Sequence, residues 1–395
     1  MKKIKARIIQ LYSLLKCMIA YIPAIICKIF IKNSWLVCED KFEARDNGYW
    51  LYKYIRENHP ERIVHFALSK KSADYEKVKK LGNVVKYDSI AHWFWFIVCR
   101  CNISSQASGR PQNAVAKLLE KMGLIKNKFC FLQHGVIIND LKWLYAHRNK
   151  IDWFLTSAKP EYEFIVNNFG YKSNQVKMLG LPRFDNLHEN IVNNKEILLM
   201  PTWRTWIKNP DGAIMNSAGI LPPENFEDSD YFHKLNEFVN HPKLEELLEK
   251  YDKVLTFYPH RNMQRFLLNF ENKIKRVQFC SRNDEDIQIL LRKCSMIITD
   301  YSSVFMDIVY MQKPVLFYQF DEKQFRAGQY NEGYFDYHKN PYSLWAGDIN
   351  TMLDNLEKIL SKEVELNYDI EEIFPLHDTN NCERIYNCLS NEFDK

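Results

Sequence analysis

A chain of 395 residues, 46% hydrophobic and 26% charged, is too long for one ordinary domain and too apolar for disorder. Two packed domains of roughly 150–200 residues are expected. The net charge of +5 belongs to the start of the chain: residues 1–33 hold seven bases and no acid, leaving 47 bases against 49 acids elsewhere. A body so balanced lacks the basic footprint of a nucleic-acid binder.

In chain order, residues 1–33 (MKKIKARIIQLYSLLKCMIAYIPAIICKIFIKN) come first. Lys16, Pro23 and Lys28 break what would otherwise be an apolar run of about 18–20 residues, and no small-residue cleavage site follows. Apolar residues among spaced lysines predict an amphipathic helix lying on an anionic membrane surface. The alternatives are a helix packed on the protein's own body and, least favoured by these interruptions, a true membrane span.

From residue 34 the pattern becomes α/β. Short apolar strands are expected at Trp35–Cys38, Arg62–Leu68, Asn83–Lys86, Phe129–Leu132, Trp153–Thr156 and Val176–Leu179. Helices are expected at Asn47–Asn58, with Tyr49, Leu51, Tyr52 and Ile55 as its apolar stripe, at Ser72–Leu81 and at Pro160–Phe169. A second series has strands at Ile197–Met200, Lys253–Phe257, Val277–Phe279, Met296–Thr299 and Val315–Tyr318. Its helices are predicted at Asp230–Val239, Pro242–Lys250, Asp284–Arg292 and Val304–Met311. Residues 207–229, rich in Pro, Gly and Asn, read as a long loop near a site. Asp348–Leu360 and Asn380–Leu389 read as closing helices.

Strands alternating with helices imply parallel sheets with crossover helices. The expected fold is therefore two Rossmann-like α/β domains facing a cleft. The expected division is a membrane-association segment (1–33), an acceptor domain (34–190), a donor domain (191–375) and a closing helix (376–395), with a hinge near His188–Lys195. In such sheets ligands collect beyond the carboxyl ends of the strands.

Four motifs stand at such ends. In FLQHGVIIND (131–140), His134 follows a buried strand, where an imidazole takes a proton from an alcohol at neutral pH, and Gly135 permits a sharp bend. A histidine merely bonded within a loop is the equal alternative. In LTFYPHR (255–261), His260 and Arg261 suit an anionic group such as phosphate. In LLMPTWR (198–204), Thr202 and Arg204 offer a hydroxyl and a bidentate fork for phosphate. In TDYSSVFMD (299–307), Ser302 and Ser303 occupy the start of a helix, where exposed N–H groups attract an anion. Asp300 repels a bare phosphate, so it braces the turn or meets a hydroxyl.

Ten cysteines form no C-x-x-C pair and match no histidine spacing, so neither zinc nor a redox motif is indicated; those in apolar runs, such as Cys130 and Cys294, read as buried thiols. No P-loop, G-x-G-x-x-G or G-x-S-x-G motif is present in the sequence.

The order ED…EARDNGYWLYKYI (39–55), QHG (133–135), GLPRFD (180–185), PTWR (201–204), YPHR (258–261) and TDYSSVFMD (299–307) resembles the CDP-glycerol glycerophosphotransferase family, the teichoic-acid-type polymerases and primases. The resemblance implies a GT-B-like fold and peripheral attachment to the cytoplasmic face of the bacterial membrane. It implies transfer of a polyol phosphate from CDP-glycerol or CDP-ribitol to a hydroxyl of a polysaccharide or lipid-linked acceptor, releasing CMP. The CDP-polyol is then a substrate, no cofactor is required, and a metal requirement stays open.

Carried over, His134 matches the general base, and His260 the histidine that binds the transferred phosphate. Arg204 and Ser302–Ser303 match the phosphate-binding positions. Many members read HGTP-L-K where this chain has His134-Gly135-Val136-Ile137-Ile138-Asn139. A different acceptor, such as a sugar of a capsular polysaccharide, therefore stays open, as does a GT-B glycosyltransferase using a nucleotide sugar.

Overall fold

The structure, a computed structural model, describes residues 2–189, 191–210 and 221–394. The chain forms two compact units: one of residues up to Val136, Lys142–Asn186 and Phe374 onward, the other of Ile137–Leu141 and Leu187–Ile373.

Among the described residues, the first unit holds a seven-stranded sheet in the order β3-β2-β1-β4-β5-β6-β7. Its strands are β1 (Ser34–Cys38), β2 (Ile63–Leu68), β3 (Val84–Lys86), β4 (Cys101–Ser104), β5 (Lys128–Phe131), β6 (Trp153–Thr156) and β7 (Val176–Met178). Every pairing is parallel. Its helices begin with α1 (Lys2–Phe30), α2 (Asn47–Asn58), α3 (Tyr75–Lys79), α4 (Ile90–Val98), α5 (Asn113–Lys121) and α6 (Lys159–Asn168). A parallel sheet is covered on both faces, which is why SWLVC and WFLT are apolar without alternation and buried throughout. Helix α2 buries Tyr49, Leu51, Tyr52 and Ile55, the stripe its spacing predicts.

The stretch from Ile90 to Ser104 was not assigned from the sequence. It is nearly all apolar and aromatic, so periodicity cannot separate helix from strand. Helix α4 buries His92, Trp93, Phe96, Ile97 and Val98, but its more open side is apolar as well, with Ile90 exposed and Phe94 and Trp95 half-buried. Its Trp93, Phe96 and Ile97 join Cys17, Ala20 and Ala24 of α1 in one buried cluster.

Helix α1 runs unbroken through Pro23, and Ala6–Phe30 is long and apolar enough to cross a bilayer by length and composition. It carries two opposed stripes at helical spacing. Ser13, Cys17, Ala20 and Ala24 are buried, and their small side chains bring the helix close to the body. Ile4, Ile8, Leu11, Leu15, Met18, Ile22, Ile25 and Ile29 point outward and are 41–69% exposed. A polar clasp fixes the inner side. Ser13 Oγ donates to Asp88 Oδ1 at 2.5 Å, Lys16 Nζ to Asp88 Oδ2 at 2.9 Å and Trp93 Nε1 to Ser13 Oγ at 3.1 Å. Lys28 also turns inward, to the Ile97 carbonyl at 2.9 Å. The sequence offered packing and surface attachment as alternatives, whereas the helix packs through one stripe and exposes the other.

The second unit holds a six-stranded sheet, again parallel, in the order β10-β9-β8-β11-β12-β13 among the described residues. These are β8 (Glu196–Met200), β9 (Val254–Phe257), β10 (Val277–Phe279), β11 (Met296–Thr299), β12 (Val315–Tyr318) and β13 (Ser343–Ala346). The helices are α7 (Asp230–Val239), α8 (Pro242–Lys250), α9 (Ile287–Lys293), α10 (Phe305–Tyr310), α11 (Glu322–Gly328), α12 (Ile349–Leu360) and α13 (Ile370–Ile373). Within the loop predicted at 207–229, Ile207 bridges Glu224 and a 3-10 turn spans Phe226–Asp228; residues 211–220 lie outside the described residues.

The final helix, α14 (Asn381–Phe393), belongs to the first unit. Asp185 accepts the N–H groups of Asn381 and Cys382, each at 2.8 Å, and so caps it. Arg62 pairs with Asp394 at 2.6 Å beyond its other end.

Candidate functional site

Strand order reverses between β1 and β4 in the first unit and between β8 and β11 in the second. At such a reversal the crossover helices leave in opposite directions and open a crevice beyond the carboxyl ends. The motifs singled out above follow β5 in the first unit and β8, β9 and β11 in the second, at or next to these reversals.

In the first unit, His134 lies three residues beyond β5 and its side chain is 72% exposed. The chain bends at His134 and Gly135, and the residue before them, Gln133, is left-handed at φ 65°. A left-handed conformation costs a non-glycine residue about 1–2 kcal/mol. Gln133 is held in it from three sides. Its Nε2 donates to Glu161 Oε1 at 3.0 Å and to the Leu155 carbonyl, and its own carbonyl accepts Asn47 Nδ2 at 2.9 Å.

Asp46, the N-cap of α2, places Oδ2 2.5 Å from His134 Nδ1. Its Oδ1 accepts Arg183 Nη1 at 3.1 Å, and that same nitrogen donates to the His134 carbonyl at 2.8 Å. A carboxylate at Nδ1 keeps the proton there, so Nε2 of the neutral ring is the basic nitrogen. Gln106 Nε2 lies 3.3 Å from the same Nδ1. The sequence pointed to His134 but not to Asp46, Arg183 or Gln106. Asp46 was legible only within the EARDNGYW motif before a helix, and Arg183 only as part of GLPRFD.

In the second unit, Thr202, Arg204 and Asp300 come together. Asp300 Oδ1 accepts the backbone N–H of Thr202 at 2.8 Å and of Tyr301 at 2.6 Å. Arg204 is fully buried between two carboxylates: Nη1 lies 2.9 Å from Asp300 Oδ2, while Nε and Nη2 form a fork on Asp321 at 2.6 and 3.0 Å. Tyr301 Oη adds a hydrogen bond to Asp321 at 3.2 Å, and its ring stacks on Phe325 at 3.7 Å.

Burial opposes the guanidinium charge, but Asp321 and Asp300 outweigh it and raise the Arg204 pKa further. Burial raises the Asp300 carboxyl despite the opposing pull of Arg204. Arg204, expected at a phosphate-binding position, has its fork on Asp321 and donates to the Thr202 carbonyl at 2.7 Å, so in this arrangement it braces the Thr202 and Asp300 turns. Asp300 binds those turns and Arg204 from a buried position. Asp321, just beyond β12, carried no signal of its own in the sequence.

His260 is half-buried, with its ring against Trp203 at 6.0 Å between centroids and 22° between planes. Its Nδ1 accepts the Asn262 N–H at 3.2 Å. The neutral ring therefore carries its proton on Nε2, the opposite tautomer to His134. Arg261 beside it is exposed. Ser302 and Ser303 are half-buried in the turn before α10, with Ser302 Oγ accepting the Val304 N–H at 3.4 Å. That helix has six residues and starts at Phe305, later than predicted. The serines precede it instead of opening it, so what this turn offers an anion is hydroxyls and turn N–H groups more than a helix dipole. Among the described residues, no group of three or more His, Cys, Asp and Glu side chains is placed to hold a metal ion.

Residues 31–391 match the sequence model of CDP-Glycerol:Poly(glycerophosphate) glycerophosphotransferase. The chain belongs to this glycerophosphotransferase family. It is 32% identical over 366 residues to the minor teichoic acid biosynthesis protein GgaB of Bacillus subtilis (strain 168), covering 91% of this chain and 40% of that protein. It is 21% identical to the teichoic acid poly(glycerol phosphate) polymerase of the same organism, covering 80% and 42%. The chain thus spans about two fifths of the length of these curated relatives.

Among solved structures, a variant of the wall teichoic acid polymerase TagF superimposes with a TM-score of 0.67 at 15% identity, covering 93% of this chain and 91% of that one. A UDP-N-acetylglucosamine 2-epimerase from Listeria monocytogenes, described as putative in its own name, gives 0.57 at 12%, covering 92% and 97%. At these identities the likeness establishes the fold: two parallel-sheet α/β domains of the GT-B-like type.

Proposed function

We propose that this glycerophosphotransferase moves a polyol phosphate, glycerol phosphate first among them, from a CDP-activated donor to a hydroxyl of a cell-surface polymer and releases CMP. The observation that carries the reading is His134: an exposed imidazole whose Nδ1 lies 2.5 Å from Asp46, which makes Nε2 the basic nitrogen towards an acceptor alcohol. His134 removes the hydroxyl proton as the oxygen attacks the β-phosphorus, and Asp46 stabilises the imidazolium that forms. His260, a donor at Nε2, binds a non-bridging oxygen of the transferred phosphate. Arg261, Ser302 and Ser303 supply further donors, while Arg204 and Asp300 hold the Thr202 and Ser302 turns in place. Phosphoryl transfer needs positioning and charge neutralisation more than covalent chemistry, and this set is suited to that task. TagF has been solved after soaking with CDPG, which supports a CDP donor for its relatives.

The deciding experiment incubates the protein with CDP-glycerol, CDP-ribitol and UDP-sugars in the presence of teichoic-acid-type and capsular acceptors. CMP release with mass gain of the acceptor is expected. Release of UDP instead assigns a glycosyltransferase and overturns the reading. Turnover that persists in chelator is expected where side chains neutralise the phosphate; turnover lost in chelator and restored by magnesium assigns part of that task to a metal.

We also propose that the outer stripe of α1 lies on the cytoplasmic face of the bacterial membrane. The exposed Leu118 and Met122 of α5 and Leu124 after it extend its apolar character, with Tyr21 Oη of α1 bonded to the Leu124 carbonyl at 3.2 Å. The neighbouring Lys121 and Lys126 are exposed, which suits anionic lipid. Deleting residues 1–33 is a poor test, because it uncovers Trp93 and Phe96. Changing Ile8 and Ile22 to Glu keeps the inner stripe intact and is expected to release the protein from anionic vesicles. Vesicle binding unchanged by both substitutions overturns the anchor.

A further inference from the structure

Glu39, one residue beyond β1, is a buried carboxylate that the mechanism above does not use. It sits at the strand-order reversal of the first unit and is bound from both sides of it. Its Oε1 accepts the Tyr49 N–H at 2.7 Å and the Ser105 hydroxyl at 3.2 Å, and its Oε2 accepts the N–H groups of Arg45 at 3.1 Å and Asp46 at 3.4 Å. Ser105, just beyond β4, accepts the Gly48 N–H at 2.7 Å.

Three of the four donors to Glu39 are thus backbone groups of residues 45–49, the turn that carries Asp46 into α2. Gly48 is fitted to this arrangement. A Cβ there would stand 2.9 Å from Glu39 Cγ and Oε1, so the turn is built around the carboxylate. Asp46 itself accepts only the Asn47 N–H of α2, at 2.8 Å, so Ser105 and Glu39 also complete the capping of that first turn.

We propose that Glu39 is a positioning residue that sets Asp46 against His134 and makes the basicity of His134 depend on its own protonation. The inference rests on the reading of His134 as the proton acceptor. Glu39 and Asp46 are two carboxyl groups on one turn, so a charge on the first raises the electrostatic cost of a charge on the second and favours the imidazolium beyond it. Burial, with the Asp46 charge adding to it, pushes the Glu39 carboxyl up to about 8, while the N–H groups of Tyr49, Asp46 and Arg45 pull the other way.

The other groups around it are accounted for. Arg45 turns its guanidinium to Asp74 at 2.9 Å, and Arg183 lies on the far oxygen of Asp46. The Tyr49 ring carries the Lys77 ammonium at 4.0 Å, and Cys38 and Asp40 flank Glu39 in the chain.

The test follows the His134 ring by NMR from pH 5 to 10 without substrate, its signal assigned by loss in His134→Gln, in the parent chain and in Glu39→Gln, Glu39→Asp and Ser105→Ala. The parent is expected to show a second inflection near pH 8 that Glu39→Gln abolishes and Ser105→Ala displaces. In CMP release, Glu39→Gln is expected to lower kcat about tenfold with KM for the CDP donor within twofold, and to remove the matching inflection from the kcat profile. Glu39→Asp, which keeps the titration on a shorter stem, restores the inflection without the full rate. A His134 titration and kcat profile identical in the parent and a folded Glu39→Gln overturn the proposal. Absence of CMP release from every CDP-polyol by the parent overturns the proposed reaction instead, and the NMR titration still decides the role of Glu39.

Discussion

The two sheets place polar residues at the same topological position and treat charge there in opposite ways. In the first unit the reversal buries Glu39 and uses it to carry Asp46 outward, so that an exposed imidazole is held by a carboxylate at one nitrogen. In the second the strongest charges, Arg204 with Asp300 and Asp321, are sealed inside, and hydroxyls, His260 and Arg261 are left nearer the surface. The difference teaches that an arginine beside a strand end is not by itself a phosphate site. A guanidinium already forked on a carboxylate is a brace, because withdrawing it would strand two buried anions.

Substitutions can break this contrast. His134→Ala is expected to lower CMP release by about 10²–10⁴-fold while leaving the thermal midpoint within a degree or two, since the side chain is mostly exposed. Arg204→Met should do the reverse. It leaves Asp300 and Asp321 buried without their partner, and a loss of about 3–5 kcal/mol in urea unfolding is expected. An Arg204→Met protein of parental stability that has lost only donor affinity would restore the phosphate-binding role.

Asp46→Asn comes next. Asparagine still caps α2 but no longer stabilises the imidazolium, so a loss of about 10–100-fold in kcat with little change in stability is expected. Gly48→Ala should cost about 1–3 kcal/mol, because its Cβ meets Glu39 at 2.9 Å. A neutral outcome would show that the turn yields more easily than its packing suggests.

A further effect is that of pH on stability. Folded, Glu39 keeps its proton up to about 8; unfolded, it releases it near about 4.3. Between those values the folded chain binds more protons, so this group lowers stability as pH rises through the window and adds no further change above it. Glu39→Gln is expected to flatten that part of the decline, read as urea midpoints at pH 5 and pH 8.

Much of the fold was legible because parallel strands buried on both faces leave runs such as WFLT, MIIT and VLFY that no exposed element would carry. The stretch around α4 was not legible, because a segment covered from several sides loses the periodicity that tells helix from strand. The outer and inner stripes of α1 are both written in the sequence. Which of them faces the body was decided by α4, whose Trp93 bonds Ser13 and packs in one cluster with Cys17, Ala20 and Ala24.

The same division holds at the site. The sequence alone determined that histidines, hydroxyls and an arginine stand at the carboxyl ends of strands, since local pattern sets where a strand stops. Only the tertiary structure decided their parts, because a proton's location and a charge's availability depend on neighbours far away in the chain. Asp46 reaches His134 across 88 residues and Asp321 reaches Arg204 across 117. In the reaction proposed above, those two carboxylates suit His134 to act as a base and Arg204 as a brace.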